Sequence, residues 1–193
     1  MTNLTHKHLL MNLLVKHPPR DHEEVEYFLG FLIKRINMKI AKADTLPKNP
    51  MAFYCNTLGN QGATGTGILE TSHTAIHSWD EQNPAKFDFD LYSCSDYDVQ
   101  QIATMCDSFD IIEGTYVLIN RDTDLKVIES GTILEGGVVH PKTIGGVAYK
   151  AGDRVKIYIG GELREVTIGE DVGEVSTDTV AKIIKSGEHI EFL

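Results

Sequence analysis

A strict alternation of apolar and polar residues in the middle of the chain constrains its fold more than any other feature. From Phe87 to Tyr92 the apolar side chains of Phe87, Phe89 and Leu91 alternate with two aspartates. Successive side chains of a β-strand point to opposite faces, so a period of two predicts a strand with one apolar face. Phe87–Ser93 is therefore predicted to be a strand.

Other strands and two helices are predicted from patterns of the same kind. The first helix begins with a capping-box signal at Asp21 and continues through Met38, and a cap at Ser95 or Asp96 begins the second, which includes Cys106 as a core residue. The further predicted strands are His8–Val15, Met51–Thr57, Ile68–Trp79 and Gly114–Asn120. The first part of the chain thus has the order β-α-β-β-β-α-β, which is typical of an α+β fold.

The end of the chain is predicted to form a unit of its own. We expect a first domain of residues 1–128 and a small β-rich domain of residues 129–193. Two strand patterns flank Gly160-Gly161 as in a hairpin, Arg154–Ile159 and Leu163–Ile168. Thr177–Ser186 has the pattern of a short helix. This segment carries no chemical motif, so we expect a role in packing or assembly.

Charge and composition exclude several classes of partner. The formal net charge is −10, from 18 basic and 28 acidic residues, whereas nucleic-acid phosphates need a basic surface. The apolar run within Met1–Lys16 is too short for a membrane span and has no small-residue cleavage site. The three cysteines have no paired spacing, which agrees with a reducing compartment. We therefore expect a cytoplasmic protein that binds neither nucleic acid nor membrane.

Two patterns resemble site motifs but are interpreted as structural. The glycines of residues 59–67 fit no phosphate-binding spacing, and a strand follows them, so they indicate a turn into a crowded strand. His6 and His8 lie two residues apart with no third ligand nearby in sequence. We expect no metal site.

The stretch from Thr71 to Glu81 carries the residue types of a reactive site. It contains Ser72 and His77, and Cys94 follows the next apolar run. Together with Glu81, these residues supply a nucleophile, a base, a carboxylate and an acid.

Strand periodicity limits which of these residues can meet. On a regular strand two faces alternate, one with Ser72, Thr74, Ile76 and Ser78, and the other with His73, Ala75, His77 and Trp79. Ser72 and His77 then point apart. A hydrogen-bonded pair would require a bend or bulge near Ser72.

This stretch resembles the core motif of the prokaryotic S-adenosylmethionine decarboxylases. The matching positions are Ser72, His73, Ile76, His77, Trp79 and Glu81, followed by the run Asp90–Cys94. Several rare residue types at fixed offsets make this match far more specific than a single glycine motif. The resemblance implies a two-layer α/β sandwich, with two helices on one face of an antiparallel sheet, and a homodimer or higher homo-oligomer.

The resemblance also implies a cofactor made from the chain itself. The Ser72 hydroxyl would attack the carbonyl of Thr71, and the resulting ester would eliminate and hydrolyse, which cuts the chain and leaves a pyruvoyl group derived from Ser72. That ketone forms a Schiff base with a substrate amine and accepts the electrons left when carbon dioxide departs. The implied activity is a carboxy-lyase that decarboxylates S-adenosylmethionine for polyamine (spermidine) biosynthesis.

Further roles follow from the same resemblance. Cys94 would donate the proton that quenches the carbanion, His77 would accept a proton during processing, and Thr64 would supply a hydroxyl that assists self-cleavage. Glu81 would bind the ribose hydroxyls, and Leu58 aligns with the residue that holds the adenine ring.

Two positions depart from the family pattern. Thr71 replaces a glutamate, and the nearest acid, Glu70, would point to the opposite face of a strand. Leu58 replaces an aromatic residue, which weakens the stacking of a purine. Two alternatives therefore stay open: a pyruvoyl decarboxylase of another amino acid such as arginine or ornithine, and an unprocessed, non-catalytic relative that acts as a binding or assembly module.

Overall fold

An antiparallel sheet of nine strands forms the centre of the protein, in the order β2-β3-β4-β5-β1-β6-β7-β8-β9. Its strands are β1 Lys7–Val15, β2 Met51–Cys55, β3 Gly62–Ile68, β4 His73–Trp79, β5 Ala85–Ser93, β6 Ile111–Asn120, β7 Val127–Leu134, β8 Val138–Ile144 and β9 Val147–Ala148. The structure is a computed structural model that describes residues 6–44, 46, 48–122, 125–144, 147–148, 154–159 and 162–167. Together with two helices, this sheet forms an α+β sandwich.

The first helix, α1 (His22–Arg35), begins where the sequence predicts. The Asp21 side chain accepts a hydrogen bond of 2.9 Å from the Glu24 N–H, which satisfies one of the free donors of the first turn. The helix ends at Arg35, before the predicted end at Met38. Its buried residues face the sheet.

The second helix, α2 (Val99–Cys106), begins later than predicted. Asp98 is its cap and accepts a hydrogen bond of 2.9 Å from the Gln100 N–H, so the predicted cap at Ser95 or Asp96 is wrong. Ser95 instead belongs to a turn in which its N–H donates to the Ser93 hydroxyl at 2.9 Å. A short 3₁₀ turn, Asp107–Phe109, follows α2.

One face of the sheet is covered and contributes to a single hydrophobic core. In β5 the side chains of Phe87, Phe89 and Leu91 are buried, which confirms the alternation seen in the sequence. Both helices add buried side chains to the same core, including Leu29 from α1 and the predicted core residue Cys106 from α2. The two helices therefore stabilise this face, and no helix of the described residues covers the other, which we call the open face.

The glycine-rich segment forms a strand of its own, which corrects the predicted element order. The predicted single strand Ile68–Trp79 is the end of β3, a turn, and β4. A Cβ atom on Gly65 would lie 2.3 Å from Val25 Cγ1, and one on Gly67 would lie 2.8 Å from Ile33 Cδ1. Glycine thus lets α1 lie close to the strand, as expected for a crowded strand. The order through β6 is β-α-β-β-β-β-α-β.

The sheet continues beyond the predicted domain boundary between residues 128 and 129. This boundary falls inside β7, which pairs with β6 on one side and β8 on the other. Ile133 and Val139 join the main core. A division into two domains stays a prediction, with β7 and β8 belonging to the sheet of the first.

The predicted hairpin after this sheet is confirmed. β10 (Arg154–Ile159) pairs antiparallel with β11 (Glu162–Thr167). The predicted helix Thr177–Ser186 lies outside the described residues. Neither helix in the described part of the chain is long and apolar enough to cross a membrane.

Candidate active site

The Thr71–Ser72 peptide lies in the tight turn that joins β3 to β4. The Leu69 N–H donates a hydrogen bond of 3.0 Å to the Ser72 carbonyl across this turn. Outside it, the Glu70 N–H donates to the Lys39 carbonyl at 3.1 Å. The turn is therefore held from both sides, and the peptide bond predicted to be cut is in a fixed place.

Ser72 lies beside Cys94, the residue after β5. The Cys94 N–H donates to Ser72 Oγ at 3.3 Å, and the Ser72 hydroxyl lies 3.7 Å from Cys94 Sγ. Ser72 precedes His73, and Cys94 lies two residues after Tyr92. The pairing of His73 in β4 with Tyr92 in β5 therefore brings Ser72 and Cys94 together. Ser72 is 8% exposed. A nucleophile and a thiol that are 22 residues apart in sequence thus share one site.

Thr71 contacts the same thiol. Its hydroxyl Oγ1 lies 2.8 Å from Cys94 Sγ, closer than the hydroxyl of Ser72. The residue that replaces the family glutamate therefore contacts the predicted proton donor. Sequence reasoning missed this contact, because it depends on the pairing of β4 with β5.

A turn after β5 fixes the backbone of Cys94. The Ser93 hydroxyl accepts from the Ser95 N–H at 2.9 Å and donates to the Ser95 carbonyl at 3.1 Å. Ser93 is buried. Ser93 therefore helps to position Cys94, and no role was predicted for it from the sequence.

His77 lies on the open face and pairs with Thr64 instead of Ser72. His77 Nδ1 is 3.3 Å from Thr64 Oγ1. β4 pairs with β3 and β5 without a register shift, so Ser72 and His77 point to opposite faces, as expected of a regular strand. In the described part of the chain no hydrogen bond joins the two. The bend that a direct pair would require is therefore missing.

The two residues predicted to bind the substrate lie near one another at the far end of β4. The Glu81 carboxylate accepts a hydrogen bond from the Gly59 N–H, next to Leu58, which is 89% exposed. The Tyr54 hydroxyl donates to Asp80, and this hydrogen bond raises the pKa of Tyr54 to about 12. These contacts hold the loop before β3 against the residues after β4.

A small pocket of about 220 Å³ connects this loop with the Thr64–His77 pair. Its lining includes the aromatic side chains of Phe53 and Trp79. Phe53 is 59% exposed on the edge strand β2. The sequence alignment placed Leu58 at the ring-binding position, but the structure offers Phe53 beside His77.

A wider concavity of about 570 Å³ lies on the open face of the sheet. Residues of four neighbouring strands, β4, β5, β1 and β6, line it, among them Asn12, His73, His77, Asp88 and Asp90. The open face thus carries titratable groups among apolar side chains such as Leu10 and Val117.

The sequence profile of the S-adenosylmethionine decarboxylase family matches residues 7–118. This range covers more than half of the chain and runs from the start of β1 into β6, including every predicted site residue. The chain belongs to the S-adenosylmethionine decarboxylase family. A comparison with curated protein sequences gives no match.

Family membership supports an S-adenosylmethionine decarboxylase-like function and is consistent with a small molecule as substrate. β7, β8 and β9 lie after the matched residues, although they extend the same sheet. The sheet of this S-adenosylmethionine decarboxylase-like chain therefore extends beyond the residues that match the family.

Proposed function

We propose that the protein is a pyruvoyl-dependent decarboxylase of S-adenosylmethionine that cuts itself between Thr71 and Ser72 and serves polyamine biosynthesis. The observation that carries this proposal is the Ser72–Cys94 contact at a tight turn, within the matched range of the family. A pyruvoyl group derived from Ser72 supplies the electron sink for loss of carbon dioxide.

The chain's own residues fit this cofactor. Ser72 is the residue from which it would form, and Cys94 lies 3.7 Å away, where a thiol can deliver a proton to the reacting carbon. Thr71, at 2.8 Å from the thiol, orients it. After cleavage Thr71 would end the first chain, and Ser72 would begin the second.

Thr64 and His77 act together in the proposed processing. A 3.3 Å contact joins them, so His77 can accept a proton from the Thr64 hydroxyl. His77 does not contact Ser72, and we therefore assign it a role through Thr64.

We assign substrate binding to the loop side of the site. Glu81 would exchange its hydrogen bond from the Gly59 N–H for the ribose hydroxyls, and Leu58 is exposed enough to contact the adenine ring. The same loop supports a second candidate function. Leu58 is 89% exposed and aliphatic, so it offers no stacking face itself. If Phe53 does not take that role, a smaller amine substrate such as arginine or ornithine is favoured.

We also propose that the protein is a homodimer or higher homo-oligomer. The open face of the sheet and its 570 Å³ concavity would lie at the contact between copies. Light scattering of the purified protein measures this directly, and a monomer at all concentrations would contradict it.

The activity is tested by release of labelled carbon dioxide from carboxyl-labelled S-adenosylmethionine, arginine and ornithine. We expect release from S-adenosylmethionine, and none from the Ser72→Ala variant. Release from arginine or ornithine alone would establish the second candidate. A whole chain with no release from any of the three would identify a non-catalytic relative.

A further inference from the structure

The side chains of His8 in β1, His73 in β4 and Asp90 in β5 meet on the open face of the sheet. Tyr92 in β5 pairs with His8 of β1 on one side and with His73 of β4 on the other. Asp90 is two residues before Tyr92 and therefore lies on the same face. The imidazole rings of His8 and His73 both lie close to the Asp90 carboxylate.

The distances in this cluster are those of a preformed set of ligands. His8 Nε2 lies 2.8 Å from Asp90 Oδ2, and His73 Nε2 lies 3.6 Å from Asp90 Oδ1. One ligand atom from each of the three residues lies within 4.8 Å of the others. Tetrahedral bonds of about 2.0–2.2 Å separate ligand atoms by about 3.3–3.6 Å. A bound ion would therefore widen the 2.8 Å His8–Asp90 pair and draw the most distant ligand atoms together.

One oxygen of this carboxylate lacks a hydrogen-bond donor among the described residues. Asp90 Oδ1 is buried and has no hydrogen bond in the described part of the chain. A buried carboxylate oxygen without a partner is costly, and a bound cation removes that cost. This unpaired atom faces His73, where an ion would sit.

We propose that His8, His73 and Asp90 bind a divalent transition-metal ion such as Zn²⁺ or Co²⁺. Two neutral imidazoles and a carboxylate are ligands that suit these ions. His73 and Asp90 also line the 570 Å³ concavity, so the remaining coordination position faces that concavity. This site was not predicted from the sequence, because His73 and Asp90 are both far from His8 in the chain.

Arg121 regulates the strength of this site. Its Nη1 atom lies 3.3 Å from His8 Nδ1, and a guanidinium can only donate, so Nδ1 accepts and the ring proton sits on Nε2. Metal binding needs Nε2 free of its proton and thus requires the proton to move to Nδ1, which displaces Arg121. Arg121 is exposed and lies 4.8 Å from the centre of the Tyr92 ring, which gives it another partner.

The test is a titration of the full-length, untagged and metal-free protein with Co²⁺, followed by visible absorption, with Zn²⁺ as competitor. We expect one ion per chain and a spectrum typical of tetrahedral Co²⁺. The His73→Ala and Asp90→Asn variants should bind at least about tenfold more weakly, while His22→Ala, an exposed histidine on α1, should bind as the wild type does.

The Arg121→Ala variant distinguishes a metal site from an ordinary network of ion pairs. Because the competing donor and its positive charge are removed, Co²⁺ should bind about tenfold more tightly. Circular dichroism checks that every variant is folded, and His73→Gln replaces any variant that is not. Absence of a Co²⁺ spectrum, or a spectrum that His73→Gln leaves unchanged, would overturn the proposal. None of these measurements depends on decarboxylation.

Discussion

The covered face and the open face of the sheet carry different residues from the same strands. In β4 the side chains of Thr74, Ile76 and Ser78 are buried under the helices, whereas His73 and His77 are exposed. The covered face supplies the hydrophobic core, and the open face supplies titratable groups. One strand thus serves stability on one side and chemistry on the other.

The proposed reaction centre belongs to neither face alone. Ser72 is buried on the covered side, in the turn before β4, where it contacts Cys94. His77 lies within β4 on the open face, where it contacts Thr64. A regular strand keeps the two groups apart. The proposed cleavage site therefore lies in turns, and the proposed supporting pair, Thr64 and His77, lies in strands.

The largest effect is expected from Cys94→Ala. If Cys94 donates the proton after carbon dioxide leaves, its loss should lower the decarboxylation rate by about 10²–10⁴. Cleavage should persist, because the backbone N–H that contacts Ser72 remains. The rate is measured by labelled carbon dioxide and the cleavage by denaturing gel electrophoresis. Cys55→Ala is the matched control, and equal losses in both variants would contradict the assigned role.

A stability effect on the covered face comes next. Gly65→Ala would place a Cβ atom 2.3 Å from Val25 Cγ1, so we expect a loss of about 1–3 kcal/mol in the free energy of unfolding. The control is Gly30→Ala in α1, where a Cβ atom meets nothing within 4 Å. That change should raise stability by up to about 1 kcal/mol through helix propensity. Urea denaturation measures both, and equal effects would show that α1 does not press on β3.

Thr71→Val should have a smaller effect on the proposed reaction. Removing the hydroxyl that lies 2.8 Å from Cys94 Sγ costs about 1 kcal/mol, or roughly a fivefold lower decarboxylation rate. Thr71→Ser keeps the hydroxyl and should retain the wild-type rate. Two variants with the same rate would mean that the hydroxyl does not orient the thiol.

The smallest effect concerns a buried histidine in β8. Burial lowers the pKa of His140 below its ordinary value of 6.5. The unfolded chain therefore binds this proton more readily, and stability falls as the pH drops below 6.5. His140→Leu should reduce the loss of stability between about pH 7 and about pH 5, as followed by thermal melts. The exposed His22→Leu should leave that loss unchanged.

Much of the fold was predictable from local patterns. Period-two alternation located β1 and β5, and the Asp21 cap located the start of α1. β3 was missed because its inward positions are Ala63, Gly65 and Gly67, so the pattern lacked large apolar side chains in one half of its alternation. The space those side chains would occupy is filled by α1, which sequence alone does not reveal.

The candidate site was predictable in its members more than in its contacts. Ser72, Cys94 and His77 were found from residue types and the family resemblance, and Thr64 from the resemblance alone. Their grouping into two pairs depends on strand register. The same holds for His8, His73 and Asp90, which come together only across β5. The hydrophobic pattern and the turns set the register, but which residues then lie side by side depends on strands that are far apart in the chain.

The central claim is self-cleavage at Ser72, and an intact-mass measurement under denaturing conditions tests it most directly. The wild-type protein, after prolonged incubation, should give two chains of residues 1–71 and 72–193, the second beginning with a pyruvoyl group. The Ser72→Ala variant should give one uncut chain. A wild-type protein that remains one chain of 193 residues would contradict the account.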